Sequence, residues 1–223
     1  MTPLRNVLTT SIYFSKLNNI TKMPKRSATS EGGNTTTKKQ KVAKDSDERT
    51  CNKGIAAESK YVFFYGIKSP FSQFHPARFV VDGKTYNCME QYMHHQKAVT
   101  FKDEVKAKQI LASSDPKEHK KLGRKVRNFD KEVWNNLSEE IVEKGNEAKF
   151  SQNEELKKAL FDTGDKVLAE ASPRDRIWGI GLGASNPKAQ NPKYWRGKNK
   201  LGYALTRVRA ILRGKDIKIP KEH

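Results

Sequence analysis

Residues 86–98 read Tyr86-Asn87-Cys88-Met89-Glu90-Gln91-Tyr92-Met93-His94-His95-Gln96-Lys97-Ala98, and the fold turns on how this stretch is read. At helical period, Met89, Tyr92, Met93, Gln96 and Val99 fall into one mostly apolar stripe. Glu90 and Lys97 stand seven residues apart, so they share nearly one azimuth at the edge of that stripe, with His94 between them. Their offset along the axis is about 10 Å at a rise of 1.5 Å per residue. That is too far for a rigid ion pair, yet both side chains could reach into one cavity. An amphipathic core helix with solvated border charges gives the same pattern. The surrounding chain has to decide between the two readings.

Upstream, Tyr61-Val62-Phe63-Phe64-Tyr65 is aromatic and β-prone, and Gly66 ends it, as expected of a buried strand. A loop dense in aromatics follows over residues 69–76. Arg78 to Val81, then Asp82-Gly83, then Lys84 to Tyr86 predicts a β-hairpin with an Asp-Gly turn. Downstream, Phe101 to Leu111 reads as a short helix. Asp115-Pro116-Lys117-Glu118 gives the next one an N-cap and a proline at its first position. Asn128-Phe129-Asp130 leads into a long helix whose buried face is expected at Trp134, Leu137, Ile141 and Ala148. Ser151 to Glu154 reads as a capping box for a helix stopped by Gly164. Leu201, Ala204, Leu205, Val208 and Leu212 stripe a last helix, whose other face is expected to expose Arg207, Arg209 and Arg213. Helices with one hairpin and no βαβ alternation make a helix-dominated α+β class.

The 223 residues carry a net charge of +19, which points to a polyanionic partner and leaves the fold open. Residues 1–59 are rich in Ser, Thr, Asn and Lys without a sustained period, the composition of a disordered tail. Eleven Lys+Arg against five Asp+Glu give that tail +6, so the remainder keeps +13. Residues 1–30 have the basic, hydroxyl-rich, acid-poor composition of a mitochondrial transit peptide up to Glu31. Residues 25–41 resemble a bipartite nuclear localisation signal, which makes the nucleus the expected location, with a mitochondrial form from 1–30. The expected organisation is a tail over 1–59, a domain over 60–214 and a short tail over 215–223. Two cysteines, one of them in the tail, make no disulfide framework.

The five histidines lack ligand spacing, so no metal and no cofactor is expected. Gly179, Gly181 and Gly183 follow no strand–helix unit and make a poor dinucleotide fingerprint, although such a loop lets backbone N–H groups approach a phosphate. Acid–base or imine chemistry remains, with Glu90, Asp175 and a lysine near Trp178 and Trp195.

Over about residues 61–212 the chain resembles the NADAR (YbiA-like) family of N-glycosidases. The resemblance is carried by Phe64-Tyr65, Phe71-Ser72-Gln73-Phe74, Asp82-Gly83-Lys84, Glu90-Gln91-Tyr92 and Gln96-Lys97-Ala98. Further on it is carried by Gly123-Arg124, Phe129-Asp130 with Trp134, Lys149-Phe150, Asp175 to Gly181, and Trp195 to Gly202. Gln73 stands where the family usually has Asn, and Met93-His94-His95 departs from its aromatic-led run.

The resemblance implies a single YbiA-like domain that hydrolyses a ribose C1–nitrogen bond without a metal. The substrate it implies is ADP-ribose on guanine, including guanine in nucleic acid, or else phosphorylated early riboflavin intermediates. A third reading is a non-catalytic reader of ADP-ribose or nucleic acid. Glu90 would stabilise positive charge at C1, with Asp175 assisting, and Lys149 or Lys97 would serve an imine route. The implied binding residues are Phe64, Tyr65, Ser72, Phe74, Arg124, Arg127, Trp134, Trp178, Gly179, Gly181, Trp195, Lys198 and Asn199. A monomer without a membrane partner is expected.

Overall fold

The computed structural model describes residues 59–214; the tail with both address signals, and the segment 215–223, lie outside the described residues. In chain order the elements are β1 (Tyr61–Phe64), β2 (Phe79–Val81), β3 (Lys84–Tyr86), α1 (Met89–Thr100), α2 (Glu104–Ala112), α3 (Pro116–Gly123) and α4 (Lys131–Ser151). Then come α5 (Glu154–Phe161), β4 (Val167–Glu170), two single 3₁₀ turns at Pro187–Gln190 and Pro192–Tyr194, and α6 (Lys200–Leu212). The class is the helix-dominated α+β expected. No helix among the described residues is long and apolar enough to cross a membrane.

The hairpin forms around Asp82 and Gly83, both at positive φ (49° and 74°), the backbone a two-residue turn needs if its twist is to match the strands. It delivers the chain into α1 at Cys88, and α2, α3 and α4 all pack on that helix. Met89 and Tyr92 are buried against Phe79 and Tyr86, and Met93 against the cluster of Phe71, Phe150 and Leu205. The helix is therefore buried on several sides, and polar residues are buried with it. Gln91 serves as a spacer: its Nε2 donates to the carbonyls of Ile110, Leu111 and Ser113, satisfying the open C-terminus of α2. Lys102 at φ 56° breaks the chain between α1 and α2, and Asp103 caps α2 through the N–H of Lys106.

Three expectations are revised. The buried line of α4 runs through Ser138, Val142, Gly145, Asn146, Lys149 and Phe150, rotated from the apolar stripe, because α4 meets both α1 and α6 and buries polar groups between them. Ser151 closes α4, and it does not open a capping box. Asn153 is the residue before α5, and its Nδ2 donates to Lys149 O and Arg78 O, while Gln152 bonds both backbone groups of Val80. Finally, the sequence reading has no β4, which pairs in parallel with β1 and sets Glu170 opposite Phe64.

Candidate active site

Glu90 lies in the first turn of α1, 4% exposed, and its backbone N–H donates to Gln73 O at 2.9 Å. The loop 69–76 thus does what an N-cap side chain would do, since the cap residue Cys88 makes no side-chain bond. His94 Nε2, one turn on, lies 3.1 Å from Glu90 Oε1 and fixes the carboxylate. The imidazole fits only because residue 123 is glycine: a Cβ there would stand 2.0 Å from His94 Nδ1.

A second carboxylate comes from the strand that sequence reading missed. Glu170 ends β4, held by an N–H donated to Asn199 Oδ1 (3.0 Å) and a carbonyl that accepts from Ile180 N–H (2.9 Å). Burial pushes its carboxyl up to about 8, and the negative charges of Asp175 and Glu90 add to the effect, with Lys120 opposing them. These four groups therefore share one electrostatic neighbourhood. Asp175 is held by two backbone N–H donors, those of Ile177 (2.9 Å) and Trp178 (2.8 Å), and so fixes the turn that carries Trp178.

Lys149 is fully buried on α4, and its Nζ donates to Pro70 O (2.6 Å) and Ser72 O (3.2 Å). Burial lowers its ammonium to about 7, and the charge of Cys88 pulls the other way. The amine thus braces the loop whose next carbonyl receives Glu90. Lys97 sits among aromatics, its Nζ 3.8 Å from the centre of the Phe129 ring and 5.9 Å from that of Trp134, and burial lowers its ammonium too.

An open cleft of about 340 Å³ is lined by Phe74, Lys117, Lys120, Lys121, Arg124 and Lys125. Lys120 belongs to the cleft and to the surroundings of Glu170, with its Nζ 5.6 Å from the Phe74 ring centre.

The remaining sequence-predicted residues divide. Ser72 shapes the loop through Phe74 N–H to its Oγ (3.1 Å), Trp178 walls the main core, and Gly179 lies so close to Glu170 O that a Cβ would meet it at 2.9 Å. Gly181 adopts φ 69° and packs on Arg196. Tyr65 and Lys198 are exposed, while Phe64 is core, edge-on to Phe71. Arg127 is taken by Asp103 through both backbone and guanidinium. Trp195 packs on Tyr61, the far end of β1 from Glu170, and donates to Ala189 O. Asn199 is fully buried and bonds Leu168 O and Glu170 N–H, so it positions the missed carboxylate. Among the described residues no group of three or more His, Cys, Asp or Glu is disposed to hold a metal ion.

An N-glycosidase of Acanthamoeba polyphaga mimivirus is 42% identical over 161 residues, spanning 67% of this chain and 95% of the relative. N-glycosidase YbiA of Escherichia coli is 32% identical over 142 residues, 64% of this chain and 80% of its own. The solved NMR structure of E. coli YbiA superposes with a TM-score of 0.57 at 31% identity, covering 69% of this chain and 84% of that one. These relatives make the chain a hydrolase acting on N-glycosyl compounds. The chain belongs to the NADAR domain family, whose model matches residues 63–213.

Proposed function

We propose that this N-glycosidase removes ADP-ribose from guanine, with nucleic acid as the carrier of the modified base. One observation supports the reading most: a cleft lined by five cations and one aromatic ring shares Lys120 with a cluster of three carboxylates. The cations suit the pyrophosphate of ADP-ribose, and the ring suits a base. Cleaving the C1–nitrogen bond leaves positive charge on C1 and the ring oxygen and negative charge on the departing nitrogen. Glu170, protonated at neutral pH, gives its proton to that nitrogen. Glu90 stabilises the cation and takes a proton from the water that adds to C1, so ADP-ribose and unmodified guanine leave. Asp175 holds ribose hydroxyls, and Trp178 keeps water from the far face of the sugar. A nuclear address over residues 25–41 fits such a substrate.

A second route draws on Lys149. An amine lowered to about 7 is substantially neutral at physiological pH, the form that attacks the aldehyde of an opened ribose and loses water to an imine. Borohydride added during turnover would trap that imine as a stable mass adduct on Lys149. The substrate itself is tested by incubating the full chain with ADP-ribosylated guanosine, the same lesion in an oligonucleotide, and phosphorylated riboflavin intermediates. ADP-ribose release is expected. Turnover of the riboflavin intermediates alone would replace this reading.

A further inference from the structure

We propose that the α3 edge of the cleft is a track for the phosphodiester strand flanking the modified base. The proposal rests on the reading of the site as acting on modified guanine, which it extends from the lesion to the chain that carries it. Lys117, Lys120, Lys121, Arg124 and Lys125 recur at helical spacing, so that they form one stripe along α3 and its exit. From 117 to 125 the stripe runs about 12 Å at 1.5 Å per residue. A pyrophosphate is served by one turn of it. A duplex strand presents a phosphate every 3.4 Å or so along its axis and can use the whole length.

The acids of α3 do not neutralise the stripe. Asp115 accepts the N–H of Lys117 as a cap, and Glu118 pairs with Lys121 alone at 3.1 Å. Among the described residues, Lys117, Lys120, Arg124 and Lys125 make no ion pair with any carboxylate. Lys117, Lys121, Arg124 and Lys125 are exposed, and only Lys120 is half-buried, turned over Phe74 toward Glu170. The stripe thus comes nearest the carboxylates at Lys120 and extends from it along open surface to Lys117 on one side and to Lys125 on the other. A small metabolite leaves its outer cations unused, whereas a strand whose modified base enters the cleft must pass along it.

The test uses the full chain with Lys117, Lys121 and Lys125 changed together to Gln. Its control carries Lys131, Lys157 and Lys158 on α4 and α5 changed to Gln, with the same loss of charge. Fluorescence anisotropy follows binding of an unmodified single-stranded oligodeoxynucleotide across a salt series. Each lost phosphate contact lowers the slope of log K against log salt by about 0.7, so the α3 variant should lose about 2 and the control far less. Exchange of the same three lysines for arginine should keep the slope. Equal loss in the α3 variant and the control overturns the proposal, as does an unchanged slope in the α3 variant. Competition by millimolar pyrophosphate with no α3-dependent strand binding also overturns it, leaving a small-anion subsite. If ADP-ribose release from modified guanosine is absent while α3-dependent binding persists, the substrate reading fails and the strand track stands.

Discussion

Two helices look equally basic in the sequence, and the structure uses them for opposite ends. On α6, Arg207 pairs with Glu143 and Glu139 of α4. Arg209 is buried, donating to Thr163 Oγ1 (2.6 Å) and Lys166 O (2.8 Å). Arg213 reaches Asp165 Oδ1, Gly164 O and Phe161 O. The expected arginine face of the last helix is therefore a set of struts between α6, α4 and the turn that enters β4. On α3 the cations line open space. Net charge counts both helices alike, and only position tells a spent cation from an available one.

Changing the buried acid that ends β4 should give the largest effect. Glu170→Gln removes the proton donor, and turnover should fall on the order of 10²–10⁴-fold. In the wild type kcat/KM should fall as pH rises through about 8, where Glu170 ionises. Stability follows pH in the same direction as activity. The folded state holds this proton from the ordinary 4.5 up to about 8, so stability is fully present below 4.5 and declines as pH rises through 8. Glu170→Gln should therefore raise the melting temperature at pH 8–9 while it lowers turnover. Lower stability of the variant at that pH would remove the case for a strained carboxyl.

Next in size is a strut. Arg209→Met leaves Thr163 and the Lys166 carbonyl without their donor and should cost about 1–3 kcal/mol of stability. The salt dependence of oligonucleotide binding should not change. A lowered salt slope with normal melting would mean that α6 faces the ligand after all. The smallest effect belongs to one exposed cation: Lys125→Gln should leave melting unchanged and lower the salt slope by about 0.7, one phosphate contact on a single strand.

The sequence reveals structure wherever the signal is local. Asp82-Gly83 sets its own turn, Asp115-Pro116 caps and starts α3, and Gly214 at φ 65° ends the last helix. Glu90 and Asp175 are legible through the family resemblance and lie in one electrostatic neighbourhood. Glu170 is not legible, because four residues between Gly164 and Ser172-Pro173 become a strand only by pairing with β1 more than a hundred positions earlier. The burial of Lys149 is hidden for a related reason. Its acceptors are backbone carbonyls of a loop nearly eighty residues away, and carbonyls leave no trace in a side-chain pattern. The struts of α6 fail to show because their acids Glu139 and Glu143 are on another helix.

The account stands or falls on the charge of Glu90. Glu90→Gln keeps the volume and leaves an oxygen to face His94 Nε2, but it removes the negative charge that the proposed mechanism sets against C1. The decisive measurement is the rate of ADP-ribose release from an ADP-ribosylated guanine oligonucleotide, with the melting temperature of each protein taken alongside. The prediction is a loss of about 10²–10³-fold with melting close to wild type, the usual cost of removing one preorganised electrostatic group. Turnover near wild type in the folded Gln variant would contradict it.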